Sequence, residues 1–309
     1  MVTILLINGK KQTKLSIFNR LVQFGDGLFE TCLIEDSRLL FWSKHFLRLE
    51  KGCDKLRIHK VNEDIWLKEV AKAFALSRLN QAVVKIILSR GESIRGYGYE
   101  KNIKSTRIII IYPMLDLPWK YELGVCSSGY FGNQLLSEIK HCNRLEQIFA
   151  RSELQKQECI MLDENALVIS VTQGNIFAIR NQVILTPSLI NCGIEGTRRS
   201  VVFDLAKELE LQFKICSLSL LELLETDEVF ITNSVIGIKP VSKINHKLFN
   251  NHQITDQLIS AFVCSKNNHS LSVLLKSKPS YFKFIFILID IFFTILDVFG
   301  KWYQNISRR

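Results

Sequence analysis

Short apolar runs, closed by glycine, asparagine or aspartate turns, alternate along this chain with segments of helical period. That alternation confines the fold to mixed α/β arrangements. Residues 2–7 read as a buried strand, and Asn8-Gly9 favours a tight hairpin after it. Phe24-Gly25-Asp26-Gly27 turns into a strand through Ile34, residues 35–38 turn again, and Leu39–Trp42 form a second strand. Ser43 is placed to cap a helix carrying Phe46, Leu47, Leu49 and Cys53 inward, with His45 and Arg48 sharing one face three residues apart. A helix over 63–78, a strand over 82–88, a glycine-rich loop over 89–98 and a strand over 107–112 follow. Two prolines make 113–119 a connector.

Beyond the connector, strands are expected at 121–127, 159–162, 166–171, 175–180, 183–186 and 228–232, with Pro240-Val241 ending that unit and a helix over 254–264. Lys140 stands before a helix that starts near Asn143, where Glu146 would complete a capping box. A lysine fixed in this way is held as imine-forming chemistry requires, although most such lysines are simply solvated. Gly193-Ile194-Glu195-Gly196-Thr197-Arg198-Arg199 opens another helix, to about 210, and glycine-rich helix starts bind phosphate through backbone N–H groups.

With 309 residues the chain has room for two domains, and its net charge of +10 draws anions. The charge is not gathered into basic runs interleaved with aromatics, so nucleic acid is not the expected partner and small phosphorylated or carboxylated molecules are. Eight scattered cysteines without a Cys-x-x-Cys pair argue against zinc, or any other metal, and against a disulfide framework. The first nine residues lack the pattern of a signal peptide, which implies a reduced, cytoplasmic protein.

Six landmarks in order carry a family resemblance: Gln23–Thr31, His45-x-x-Arg48-Leu49, Ser89-Arg90-Gly91 with Arg95-Gly96-Tyr97, Lys140-His141-x-Asn143-Arg144-Leu145-Glu146-Gln147, Gly196-Thr197-Arg198, and Asp227–Val229 with Thr232-Asn233-Ser234. Over residues 4–266 the chain resembles the class IV pyridoxal-phosphate aminotransferases, most nearly their aminodeoxychorismate lyase branch. The resemblance implies an α/β fold of the type IV pyridoxal-phosphate class. Its parts would be a smaller N-terminal domain (1–116), a larger cofactor-binding domain (117–268) and an extra apolar helix (269–309).

It implies that Lys140 is the Schiff-base lysine for pyridoxal 5'-phosphate and the proton-transfer base. Arg48, Gly196, Thr197 and Ser234 would hold the phosphate, and Arg95 and Tyr97 a substrate carboxylate. It also implies a homodimer whose site borrows a loop from the partner subunit. The activity would be conversion of 4-amino-4-deoxychorismate to 4-aminobenzoate and pyruvate. The alternatives are a branched-chain or D-amino-acid aminotransferase and a non-catalytic relic.

Two departures qualify the resemblance. The family's glutamate opposite the pyridine nitrogen is replaced by Ser170, a neutral partner that would not hold a pyridinium charge, so transamination should suffer more than a lyase step driven by aromatisation. Residues 281–303 are apolar except for one stripe of Lys283, Asp290, Thr294, Asp297 and Lys301, as in a helix lying in a membrane surface. A spanning anchor and a helix packed on the protein's own body are the other readings; two aspartates count against spanning.

Overall fold

The computed structural model describes residues 4–153 and 158–273. Two sheets organise it. The first has seven strands, all paired antiparallel: β1 (Ile4–Ile7), β2 (Lys10–Lys11), β3 (Gly27–Glu35), β4 (Arg38–Leu40), β5 (Ala82–Ser89), β6 (Thr106–Pro113) and β16 (Ser270–Ser272), in the order β16-β4-β3-β5-β6-β1-β2. Helices α1 (Arg20–Phe24), α2 (Trp42–Leu56) and α3 (Glu63–Ser77) accompany it. The Asn8-Gly9 hairpin forms as the sequence requires, with φ of 48° and 74° at its two central residues.

The second sheet has nine strands in the order β12-β11-β10-β13-β14-β7-β8-β9, with β15 paired to β14. Its members are β7 (Tyr121–Val125), β8 (Glu158–Leu162), β9 (Val168–Val171), β10 (Asn175–Arg180), β11 (Val183–Pro187), β12 (Phe213–Cys216), β13 (Glu228–Asn233), β14 (Gly237–Ile244) and β15 (Lys247–Leu248). Helices α4 (Leu145–Glu153), α5 (Thr197–Glu208), α6 (Leu220–Leu224) and α7 (Gln253–Asn268) belong to this half.

β10 and β13 show why this sheet is central. Phe177, Ile179 and Phe230 face a core shared with α5 and α7, while Ile176, Ala178, Val229 and Ile231 face the opposite core with Leu218 and Leu223. Both faces are buried, so these strands read as continuous apolar runs rather than alternating ones. Leu33 and Leu40 of the first sheet pack into the same core as Phe177, which joins the two halves.

Several local expectations are corrected. Helix α2 begins at Trp42 with Phe41 at φ 54° as its cap, so Ser43 lies inside the first turn. Asn143 does not cap α4: its Nδ2 donates to the Gly25 carbonyl, and Glu146 accepts from the Phe131 N–H instead. Pro240 does not end a unit but sits within β14 opposite Phe230. Cys126 and Cys159, on neighbouring strand ends, form a disulfide that scattered spacing could not announce. Ser270–Ser272, assigned to an extra helix, instead add an edge strand to the first sheet. The apolar segment 281–303 lies outside the described residues. Among those that are described, no helix is long and apolar enough to cross a membrane.

Candidate active site

A cavity of about 480 Å³ opens between the two sheets, and Lys140 lines it. Backbone pairing, rather than a helix cap, fixes this lysine. The Phe29 N–H donates to the Lys140 carbonyl at 2.9 Å, and Cys142 N–H to the Gly27 carbonyl at 2.9 Å, so residues 140–142 act as a short extra strand on β3. Two residues before the lysine, Glu138 N–H donates to the Gly193 carbonyl and Glu195 N–H donates back to Glu138. The same backbone stretch therefore grips β3 on one side and the turn before α5 on the other.

The Lys140 ammonium position lies 4.3 Å from the centre of the Phe29 ring. Burial, followed by the nearby Arg48 charge, pushes its pKa from 10.5 down to about 7. A substantial fraction of neutral amine is then present at neutral pH, as a nucleophile or proton acceptor needs. Acylation of the Lys140 amine in cofactor-free protein, followed by peptide mass spectrometry, should show a midpoint near pH 7 with rate rising as pH rises; a midpoint near 10 contradicts this environment.

Arg48 is held by a buried cluster. Its Nε and Nη2 donate to both oxygens of Glu30 at 2.8 and 2.7 Å, and Nη1 donates to the Glu195 carbonyl at 2.8 Å. His45 Nδ1 meets the same carboxylate at 2.6 Å. Burial pushes His45 down to about 4, so it is neutral and donates from Nδ1. Three of the five Arg48 N–H groups are thus committed and two are left for an anion.

Beside Arg48, α5 starts at Thr197 with Gly196 as a cap that offers no side-chain bond. Thr197 Oγ1 and Ser234 Oγ lie 3.2 Å apart, so two hydroxyls join the open helix end. A Cβ on Gly196 would collide with Asn175 Oδ1, which restricts that position to glycine. Arg199 turns away from this end and donates to the Pro187 carbonyl, while Arg198 stacks on Phe41 at 4.1 Å and its Nη2 donates to the Ser234 carbonyl at 3.3 Å.

Ser170 lines another part of the cavity, hydrogen-bonded to the Tyr130 hydroxyl at 2.9 Å and donating to the Val171 carbonyl at 3.0 Å. The one acid among the lining residues is Glu158, whose carboxylate is taken by Thr172, the Gln173 N–H and Arg151. Thr232 Oγ1 is buried and has no hydrogen-bond partner.

Lys140, Arg48, Ser170, Gly196, Thr197 and Ser234 thus come together in one cavity. Arg95 and Tyr97 do not reach it within this chain. Arg20 gathers the carbonyls of Gly96, Tyr97 and Gly98, which holds their loop over α1, and Tyr97 is 85% exposed. Sequence reasoning assigned no role to Glu30, Tyr130, Gln147 or Thr232, although Glu30, Gln147 and Thr232 stand inside the family landmarks; Tyr130 alone carried no signal.

The class IV amino-transferase family profile matches residues 27–244, from β3 to the end of β14. The chain belongs to the class IV amino-transferase family. Aminodeoxychorismate lyase of Vibrio harveyi is 29% identical over 249 residues, 77% of this chain and 90% of that one. D-alanine aminotransferase of Bacillus licheniformis is 24% identical over 78% of this chain and 88% of its own. The crystal structure of 4-amino-4-deoxychorismate lyase from Pseudomonas aeruginosa superposes with a TM-score of 0.78 at 30% identity, covering 84% of this chain and 97% of that one.

The cofactor of class IV amino-transferases is pyridoxal 5'-phosphate, and the cavity residues fit it. The open α5 end, two hydroxyls and two spare Arg48 N–H groups suit a phosphate. The amine near its neutral point suits the aldehyde, and the orphaned Thr232 hydroxyl leaves a polar atom to be met. When bound, the group supplies an electron-withdrawing ring that stabilises negative charge on carbon next to a substrate amine.

Proposed function

We propose that this amino-transferase relative is an aminodeoxychorismate lyase, releasing 4-aminobenzoate and pyruvate from 4-amino-4-deoxychorismate. The observation that carries the reading is the pairing of a neutral-capable Lys140 with a carboxylate-free Ser170–Tyr130 contact in one cavity. Lys140 takes the proton from the substrate ring carbon. The C–O bond to the enolpyruvyl group then breaks with the electron pair leaving on oxygen, and the product ring becomes aromatic. The released enolate takes a proton on its terminal carbon, from the Lys140 ammonium or from water, to become pyruvate. The gain in aromaticity drives the step, so it depends less on a charged partner for the cofactor ring than amino transfer does. Similarity to the Vibrio harveyi and Pseudomonas aeruginosa lyases supports the same reading. The test is pyruvate release from 4-amino-4-deoxychorismate with no keto acid added; turnover that requires a keto acid would sink the lyase in favour of a transferase.

Ser170→Glu separates the two chemistries further. A carboxylate introduced there should raise amino transfer to a keto acid by about 10²-fold, the size of one well-placed electrostatic partner. Unchanged transfer would mean that Ser170 does not face the cofactor ring.

A homodimer follows from the same reading. Leu145, Ile148 and Phe149 on α4 and the neighbouring Phe131 and Leu135 are all exposed, an apolar face that a second copy would cover. The exposed loop of Arg95 and Tyr97 would then supply substrate contacts to the partner's cavity. The cytoplasmic location, and membrane contact through 281–303, rest on sequence pattern alone; fractionation with and without residues 271–309 tests the latter.

A further inference from the structure

Arg144, four residues after Lys140, lines the same cavity but has no carboxylate in ion-pair contact, Glu146 acting on it only at longer range. Its Nε donates to the His141 carbonyl at 2.8 Å, which closes the turn and sets the direction of the guanidinium. Nη2 is buried and makes no hydrogen bond, and no ion pair among the described residues includes this arginine. Arg48 is the contrast, because its charge is met by Glu30 at 2.7 Å. Gln147, three residues on in the first turn of α4, also lines the cavity; its buried amide sits near the Tyr130 hydroxyl but makes no well-formed hydrogen bond.

Leaving the Nη2 end of a guanidinium buried without a hydrogen-bond partner is costly, and the cost is recovered when an anion binds. Burial lowers the pKa of Arg144 from its ordinary value, and the more distant Tyr130, Glu146 and Cys142 do not fully offset it. The phosphate is provided for by a different set, Arg48, Thr197 and Ser234. A planar fork with an amide beside it matches a carboxylate, which takes two parallel N–H bonds.

We propose that Arg144, assisted by Gln147, anchors a carboxylate of the substrate and so sets specificity from within the chain. The proposal rests on the lyase reading for the identity of that substrate, which carries two carboxylates. One stays on the ring of 4-aminobenzoate and the other leaves with pyruvate.

The test is calorimetric titration of the cofactor-loaded protein with 4-aminobenzoate, with its uncharged amide 4-aminobenzamide, and with pyruvate. Wild type should bind at least one carboxylate, and Arg144→Gln should weaken that binding about 10–100-fold, the range for a hydrogen bond to a charged group. Binding of 4-aminobenzamide, the visible band of the cofactor and the unfolding temperature should stay as in wild type. Loss for 4-aminobenzoate assigns the ring carboxylate to Arg144, and loss for pyruvate assigns the side-chain one. Arg144→Lys, which keeps the charge without the fork, should lose less than the glutamine variant and covers the case in which that variant does not fold.

Equal carboxylate binding by wild type and variants overturns the proposal. So does a shifted cofactor band with carboxylate affinity unchanged, because Arg144 would then serve the cofactor. Pyruvate release by wild type is scored separately: its failure removes the lyase reading, whereas the titrations still decide whether Arg144 binds a carboxylate.

Discussion

Lys140→Ala should abolish turnover, by at least about a thousandfold, without unfolding the protein. The loss follows from the chemistry: no other amine among the cavity-lining residues can take its place, since the remaining cations there are Arg48 and Arg144. The survival of the fold follows from how the residue is held. Bonds from Phe29 N–H to the Lys140 carbonyl, and from Cys142 N–H to Gly27, involve backbone atoms that alanine keeps. Burial of the amine is itself a stability cost. Its folded pKa of about 7 lies below the ordinary value, so the penalty is full below pH 7 and is relieved as pH rises toward 10.5. The cofactor-free alanine variant should therefore be as stable as wild type at neutral pH, or more so. Rate measurement together with thermal unfolding reads both parts. An inactive variant that is also unfolded would mean that the side chain holds the segment, contrary to the geometry described.

Glu30→Ala should cost about 3–5 kcal/mol of stability, because it strands the buried Arg48 guanidinium without its carboxylate. Burial on its own would raise the Glu30 pKa, but Arg48 and His45 outweigh it and hold the acid down at about 2. A depressed acid contributes stability that is present above its unfolded pKa. That contribution is lost as pH falls, here across the window from about 4.5 to about 2. Denaturant titrations at pH 7 and at pH 3 should show wild type and variant far apart at the first and closer together at the second. A constant gap would place the carboxylate's worth in packing rather than charge. Because Arg48 also lines the cavity, the variant should hold phosphate less well.

Most strands were legible because their apolar residues had no alternative to burial. β1 with its Asn8-Gly9 turn, β5 with alternate residues buried, and β10 with both faces covered are all visible as patterns. β12 was not, since its Phe213–Cys216 run has no fully buried residue and joins the sheet as an edge through parallel pairing with β11. α6 is only five residues long, too short for a period to show, and its Ser219–Glu222 capping box is seen only in the structure. Long-range pairings explain the other misses. Asn143 looked like a cap from its neighbours but is taken by Gly25 on a distant turn.

The site was legible where short motifs carried it, at Lys140, Arg48, Gly196, Thr197 and Ser234. Tyr130 stands in no motif, and only folding brings it to Ser170; Gln147 closes the Lys140 landmark, but only the fold shows that it lines the cavity. Arg95 and Tyr97 stood in a motif, yet the Arg20 contacts hold their loop away from the chain's own cavity.

The central claim is that one cavity binds pyridoxal 5'-phosphate through Lys140. The most direct measurement is borohydride reduction of the cofactor-loaded protein, followed by digestion and mass spectrometry to locate the phosphopyridoxyl group. A single labelled peptide is expected, with the added mass on Lys140. Label on another lysine, or none on a protein that has taken up the cofactor, would contradict it.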